Sequence, residues 1–343
     1  NIADHLGLSR NTVSKALKNS SEVSENTRNL VIKTASKLGY KNATFATPVI
    51  PASETGSNGT ILFLTRTYAS DSEFWTTVLR GIESILSNAN YHLAISIMSD
   101  SDLKQLNFPQ TISDSSIKGI ILVEICDKVV CDALSQFNLP IVSVDMPNVP
   151  FEELNGIDVV TMESKKNLKK IINQLIEKGA ESFGFVGDLY SPNVSRGFQE
   201  RYNALSECLA EHQLPLNQKN CLLHQTPEDF RNFQTTVNNL QAMISLPDVF
   251  ICGNDWTAIQ LIYALQFLGF QIPKDICVVG FDNIPAASRI SPSLTTISTP
   301  QKYLGIAAAR QILERIQHPN CPHVFCQYET ELIIRNSTNI ISF

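Results

Sequence analysis

The 343-residue chain has little charge, no long apolar run and no closely paired cysteines. Charged residues make up only 17% against 43% apolar, which excludes a disordered, collagen-like or coiled-coil protein. Its longest apolar runs, such as Gly119–Val123 and Cys277–Phe281, fall far short of the ~20 residues that span a membrane. No signal-peptide pattern follows Asn1 and no Met precedes it. The expectation is a cytoplasmic protein without membrane contact, whose first residues come before Asn1. Eight cysteines include no CxxC pair, and several stand in strand-like apolar runs, as at Cys252 and Cys277; they read as buried thiols of a reducing compartment. His318, Cys321, His323 and Cys326 are metal-ligand types crowded together, but their spacing matches no common zinc site, and Pro319 and Pro322 mark a loop. No metal and no cofactor is expected. No GxGxxG or GxxxxGK[ST] opens a helix, no Ser, Cys or His sits in a nucleophile elbow, and carboxylates are scattered. No catalytic residue is therefore expected, and an enzyme on a doubly wound fold is a weak alternative.

What is present is unevenly distributed. The net charge of −6 divides into +4 over residues 1–45, with seven Lys/Arg against three acids, and −10 over the rest. A small basic head on a large acidic body suggests a polyanion-binding module attached to something else. The head reads as three helices. Ile2, Ala3 and Leu6 mark the first, ending near Gly7. Ser9 caps a second over residues 10–17 with Val13, Ala16 and Leu17 inward. Ser24 caps a third over 25–38 with Leu30, Val31, Thr34, Ala35 and Leu38 on one face. Two short helices joined by a Gly turn have helix-turn-helix spacing. Arg10, Asn11, Ser14 and Lys15 fall on the outer face of the second, where Arg or Lys can donate to guanine and Asn can pair with adenine. Periodicity alone leaves a plain helical interaction module equally open.

Residues 2–17, then Val23-Ser24-Glu25-Asn26-Thr27-Arg28 and Leu38-Gly39-Tyr40, closely resemble the DNA-binding domain of the lac repressor (LacI/GalR) family. The resemblance implies DNA contacts from Ser9, Arg10, Asn11, Thr12, Ser14, Lys15, Lys18, Thr27 and Tyr40, with Arg10, Asn11 and Lys15 at base-reading positions. Lys15 stands where the family usually has Arg, so a point charge replaces a bidentate fork. Lys18 replaces the usual Asn. The family's hinge helix is poorly matched: Tyr40 to Val49 lacks its Pro and Asn, puts Thr47 at its Arg, and adds Pro48, which opposes a continuing helix. A weaker minor-groove wedge and reduced operator bending are the expectation, followed by a flexible linker through Gly59.

From Thr60, short apolar runs alternate with amphipathic segments, the pattern of βαβ units and parallel sheets. Expected strands are 61–65, 93–97, 119–124, 141–145, 183–187, 249–252 and 278–281. Expected helices are 74–87, 165–178, 198–211, 257–268 and 303–316. The resemblance continues here, in Pro247 to Asp255, Gly269 to Asp282, Pro292 to Ile297 and Glu331 to Thr338. It implies an all-α helix-turn-helix head plus an α/β periplasmic-binding-protein-like core of two parallel-sheet lobes joined by three crossovers. The implied domains are 1–44 (head), 45–59 (atypical hinge and linker), 60–159 with 300–325 (first lobe) and 160–299 with 326–343 (second lobe).

The resemblance implies an effector cleft lined by Asp145, Arg201, Asn254 and Asp282, whose carboxylates and guanidinium suit vicinal hydroxyls. Arg196 competes with Arg201 for the arginine role. Thr299 is a weaker polar contact. Phe74, Trp75 and Trp256 could stack on a sugar ring, although core packing suits each aromatic alone. Asp145, Asn254 and Asp282 have a lesser alternative as caps of adjoining helices, and Asp255 caps more readily than it binds. The implied function is a homodimeric transcriptional repressor on a pseudo-palindromic double-stranded DNA operator, controlled by a small-molecule effector, a sugar or sugar derivative. A cytoplasmic solute-binding or sensory protein, and a regulator with a purine corepressor, are the alternatives.

Overall fold

The computed structural model describes residues 3, 6–17, 23–24, 27, 30–31, 34, 57–66, 72–189, 195–224 and 232–339, in two units spanning 1–56 and 57–343. Lys18, Tyr40 and the hinge up to Gly56 lie outside the described residues. In the first unit, α1 spans Arg10–Leu17. Gly7 takes φ 63° and the Leu8 N–H returns to the Ala3 carbonyl at 3.0 Å, turning the chain into α1. Ser9 Oγ accepts the Thr12 N–H at 3.0 Å, capping that helix. Ala3, Val13, Ala16, Val23 and Val31 close a small core. Leu30, expected inside, is 51% exposed because its neighbour Val31 takes the buried position.

The second unit begins earlier than composition suggests. Asn58 bonds the Asn90 carbonyl through its N–H at 2.9 Å and the Ala89 carbonyl through Nδ2 at 3.0 Å. Ser57 Oγ also reaches Asn90. The last three residues of the expected linker are thus docked, and the linker reading holds at most to Gly56.

The elements are β1 Thr60–Arg66, α2 Glu73–Asn88, β2 His92–Met98, α3 Asp100–Gln105, β3 Ile117–Val123, α4 Lys128–Ser135, β4 Ile141–Val144 and β5 Ile157–Met162. They continue with α5 Lys166–Glu177, β6 Phe183–Asp188, α6 Arg196–Glu211, β7 Leu222–His224, α7 Phe233–Ala242, β8 Val249–Cys252, α8 Asp255–Phe267 and β9 Cys277–Asp282. Last come β10 Thr295–Ser298, α9 Gln301–Gln317, β11 Phe325–Tyr328 and β12 Glu331–Ile333. One sheet has the order β11-β5-β4-β3-β1-β2 and the other β12-β10-β9-β8-β6-β7. All pairs are parallel except β10–β12. The chain passes between sheets three times, after β5, β10 and β11.

Strand pairing moves the expected lobe boundaries. β5 lies whole in the first sheet, so the boundary at 159/160 would cut a strand. β11 pairs in parallel with β5 through Phe325↔Val159 to Tyr328↔Met162, so 326–328 belong to the first lobe. The cause is one charged residue in β5. Asp158 is fully buried and is held by Arg315 of α9 at 2.8 and 3.0 Å, by Gln311 at 3.0 Å and by the Val324 N–H at 2.8 Å. Burial pushes its pKa up, but Arg315, Gln311 and Val324 outweigh that and hold it below the ordinary value. Arg315 also donates to the carbonyls of Pro319, Cys321 and Pro322. The His/Cys-rich loop is therefore wrapped around a guanidinium.

α2 and α9 pack through Gly81 and Gly305. A Cβ on Gly81 would strike the Lys302 carbonyl, and one on Gly305 the Val78 carbonyl. All eight cysteines are unpaired thiols, five of them buried. Among the described residues no helix is long and apolar enough to cross a membrane, and no three His, Cys, Asp or Glu are grouped to hold a metal ion.

Candidate DNA-reading helix and effector cleft

On α1, Arg10, Asn11 and Ser14 are exposed and Lys15 is half-buried beside the buried Val13 and Ala16. Their common outward placement follows from the apolar positions turning to the core. Ser9 and Thr12 are engaged with each other: their hydroxyl oxygens lie 2.8 Å apart, besides the cap. Thr27 is paired in the same way with Ser24 at 2.8 Å. Ser9 and Thr12 therefore build the start of α1.

In the second unit, parallel strands bring their carboxyl ends together, the edge at which open α/β sheets bind ligands. Three acids there stand on left-handed backbone: Glu124 after β3 at φ 56°, Asp145 after β4 at φ 69°, and Asp282 at the end of β9 at φ 118°. Such conformations cost of order 1–3 kcal/mol in a non-glycine residue and gather at functional sites. Asp145 is buried; Oδ1 accepts the Met146 N–H at 2.8 Å and the carboxylate also takes a bond from Ser195. Burial pushes its pKa up, against Met146 and Arg201. For Asp282, burial drives the pKa well above the ordinary value, with Arg201 opposing. Its backbone carbonyl accepts from Thr299 Oγ1 at 3.1 Å and Gln301 Nε2 at 2.7 Å. That anchors the residue and places Thr299 behind it.

Arg201 comes from the second turn of α6 and is 4% exposed. Its guanidinium lies 3.6 Å over the Phe281 ring, with Phe198 at 5.2 Å, and Nη1 donates to the Gly253 carbonyl at 2.6 Å. Its charge acts on both Asp282 and Asp145. Arg196, the competing arginine, is half-buried at the start of α6, bonded to Glu200 at 2.8 Å and over the Phe325 ring at 5.2 Å. Of the two, the arginine in the second turn is the one whose charge acts on Asp145 and Asp282.

Asn254 caps α8, its Oδ1 accepting the Thr257 N–H at 2.8 Å. Asp255, expected as the cap, is fully buried instead and ties α8 to β9 and β10, taking the Ile284 N–H at 2.9 Å and Thr296 Oγ1 at 2.5 Å. Burial raises its pKa to about 7. Phe74 is a core residue, 5% exposed and edge-on to Trp75 at 4.5 Å, which corrects its reading as a stacking platform. Trp75 hydrogen-bonds the Glu124 carboxylate. Trp256 is 39% exposed at the start of α8. Glu124 is the group that sequence reasoning missed; nothing in Ile121-Leu122-Val123-Glu124 beyond its place at a strand end marks it. Burial raises its carboxyl to about 7, with Arg66 opposing and Asp188 and Asp145 adding to the rise.

A helix-turn-helix head with an outward basic helix, joined to a two-sheet α/β body with polar strand ends, defines a DNA-binding regulator with a ligand-binding core. Residues 1–42 match the model for "Bacterial regulatory proteins, lacI family", and residues 172–338 match a periplasmic binding protein-like domain. The chain is 27% identical over 340 residues to the ribose operon repressor of Haemophilus influenzae, covering 98% of this chain and 97% of that protein. It is 26% identical over 341 residues to the transcriptional repressor PurR of Photobacterium profundum, covering 98% and 97%. A solved lac repressor dimer bound to operator and the anti-inducer ONPF superposes with TM-score 0.68 at 20% identity, covering 98% of this chain and 97% of that one. The chain thus carries a lacI-family regulatory head over residues 1–42 and a periplasmic binding protein-like domain over residues 172–338, and it is a DNA-binding transcriptional regulator of the repressor class.

Proposed function

We propose that this repressor reads a pseudo-palindromic operator as a homodimer in the cytoplasm and is controlled by an uncharged sugar held by Asp145, Arg201, Asn254 and Asp282. The observation that carries the reading is the gathering of Asp145, Asp282 and Arg201 from different strand and helix ends. Carboxylates accepting from hydroxyls beside a preorganised guanidinium form the bidentate, charge-assisted contacts that polyols satisfy. The likeness to the ribose operon repressor supports a monosaccharide. The likeness to PurR favours a purine corepressor as the second reading.

Arg10, Asn11, Ser14 and Lys15 would read bases, with Ser9, Thr12 and Thr27 at phosphates. Lys18 and Tyr40 remain part of this proposed contact set. A second copy is supported by apolar surface that a monomer would leave in water: Ile95 and Ile97 on edge strand β2 are 55% and 51% exposed, and Phe267 on α8 is 68% exposed beside Phe233. Effector binding then shifts lobe orientation and head spacing, a coupling of about 1–3 kcal/mol.

A thermal-shift screen of free monosaccharides, sugar phosphates and purines tests the effector class. The expected result is a concentration-dependent rise in Tm with a free monosaccharide that Arg201→Ala removes. A rise with purines alone would establish the second reading instead.

A further inference from the structure

Besides the three crossovers, the two lobes touch where the start of α6 meets the turn after β4. α6 packs on α5 and β6 of the second lobe, whereas residues 145–147 and strand β11 belong to the first. Ser195 forms an isolated antiparallel bridge with Pro147, and the Arg196 N–H donates to the Met146 carbonyl at 2.9 Å. The Arg196 side chain carries the contact further. Its guanidinium lies 5.2 Å over the Phe325 ring, and Nη1 donates to the Met146 sulfur at 3.8 Å. Phe325 is itself held on the first lobe by Phe151, with ring centroids 5.5 Å apart. Glu200, one turn along α6, accepts from Arg196 Nε at 2.8 Å and aims the group. An i,i+4 pair of this kind contributes little by itself. A guanidinium drawn partly out of water over an aromatic face gains more, and the Arg196 side chain keeps only 32% of its exposure. The turn it grips is the one that presents Asp145, whose carboxylate takes bonds from the Met146 N–H and from Ser195. Two consecutive residues of one lobe thus hold three consecutive residues of the other.

We propose that Arg196 is an interlobe clasp, whose contacts with Met146 and Phe325 set how closely the lobes stand together and thereby the operator affinity of the effector-free repressor. Arg196 is a positioning residue here, acting through the Asp145 turn. Transmission from the lobes to the head rests on the reading of an effector-controlled repressor. The clasp itself does not, because it can be read without an effector.

Amide hydrogen exchange of the full-length, effector-free protein reads the clasp. Arg196→Ala keeps the backbone N–H at position 196, and that amide should exchange about 2- to 30-fold faster, the range of one cation–π contact. Phe325→Leu keeps apolar packing but removes the ring face, and should give the same change. The double variant should add little to either single one. Arg196→Lys retains a cation over the ring and should recover part of the protection. In both single variants, operator Kd by fluorescence anisotropy should shift in the same direction, without any sugar present. Native protection in Arg196→Ala overturns the clasp, and fully additive effects overturn its pairing with Phe325. Faster exchange with an unchanged operator Kd overturns the regulatory role while leaving the effector reading standing.

Discussion

Glu124 shows how much a single carboxyl can carry at this strand edge. Its pKa is raised by burial to about 7 from an ordinary 4.5. The native state therefore holds a proton that the unfolded chain releases, so this group lowers stability as pH rises from about 4.5 to 7, after which the loss is complete. Asp255 adds to the same trend from its own ordinary value of 3.8 up to about 7. Glu124→Gln should make the decline shallower between pH 5 and 7 and raise Tm at pH 8; pH-dependent thermal unfolding checks it. Asp255→Ala should act the opposite way at all pH values. It strands the Thr296 hydroxyl and the Ile284 N–H inside the protein, a loss of about 2–4 kcal/mol readable by urea unfolding.

At the scale of elements, α9 is the part that holds the first lobe together. Arg315 reaches across to Asp158 of β5, 157 residues earlier in the chain. Asp158→Ala leaves a buried guanidinium without its partner and should cost about 3–5 kcal/mol. Gly81→Val should also destabilise, because α2 and α9 have no room for a side chain where Gly81 meets the Lys302 carbonyl. These contacts explain what was legible in the sequence and what was not. β1, β3, β4, β6, β8 and β9 announce themselves as apolar runs, and the long helices by period. β5 does not, because Asp158 interrupts Ile157-Asp158-Val159-Val160, and its neutralising partner lies far along the chain. β11 and β12 are short and half-buried, so they carry little alternation. α7, with Thr235, Thr236, Asn238 and Asn239, has weak amphipathic contrast. Of the residues proposed for the cleft, Asp145, Arg201 and Asp282 are legible as motif positions. Glu124 is not, because its meaning lies in what surrounds it.

For the whole molecule, the net charge of −6 is an average over parts with opposite tasks. A head of +4 within residues 1–45, ~+8 in the proposed dimer, is enough for binding whose affinity falls steeply with salt. The −10 body disfavours other contact with DNA. Lys15→Ala should reduce operator affinity and make the salt slope shallower by about one. The central claim is that this DNA-binding head and the Asp145–Arg201–Asp282 cleft are the two ends of one equilibrium. Fluorescence anisotropy of a labelled operator, titrated with the protein in the presence and absence of free monosaccharide, tests it most directly. The account predicts a shift in apparent Kd of about 5- to 150-fold, abolished in Asp282→Ala while its sugar-free operator affinity stays native. An Asp282→Ala protein that still shows the full sugar-dependent shift would contradict it.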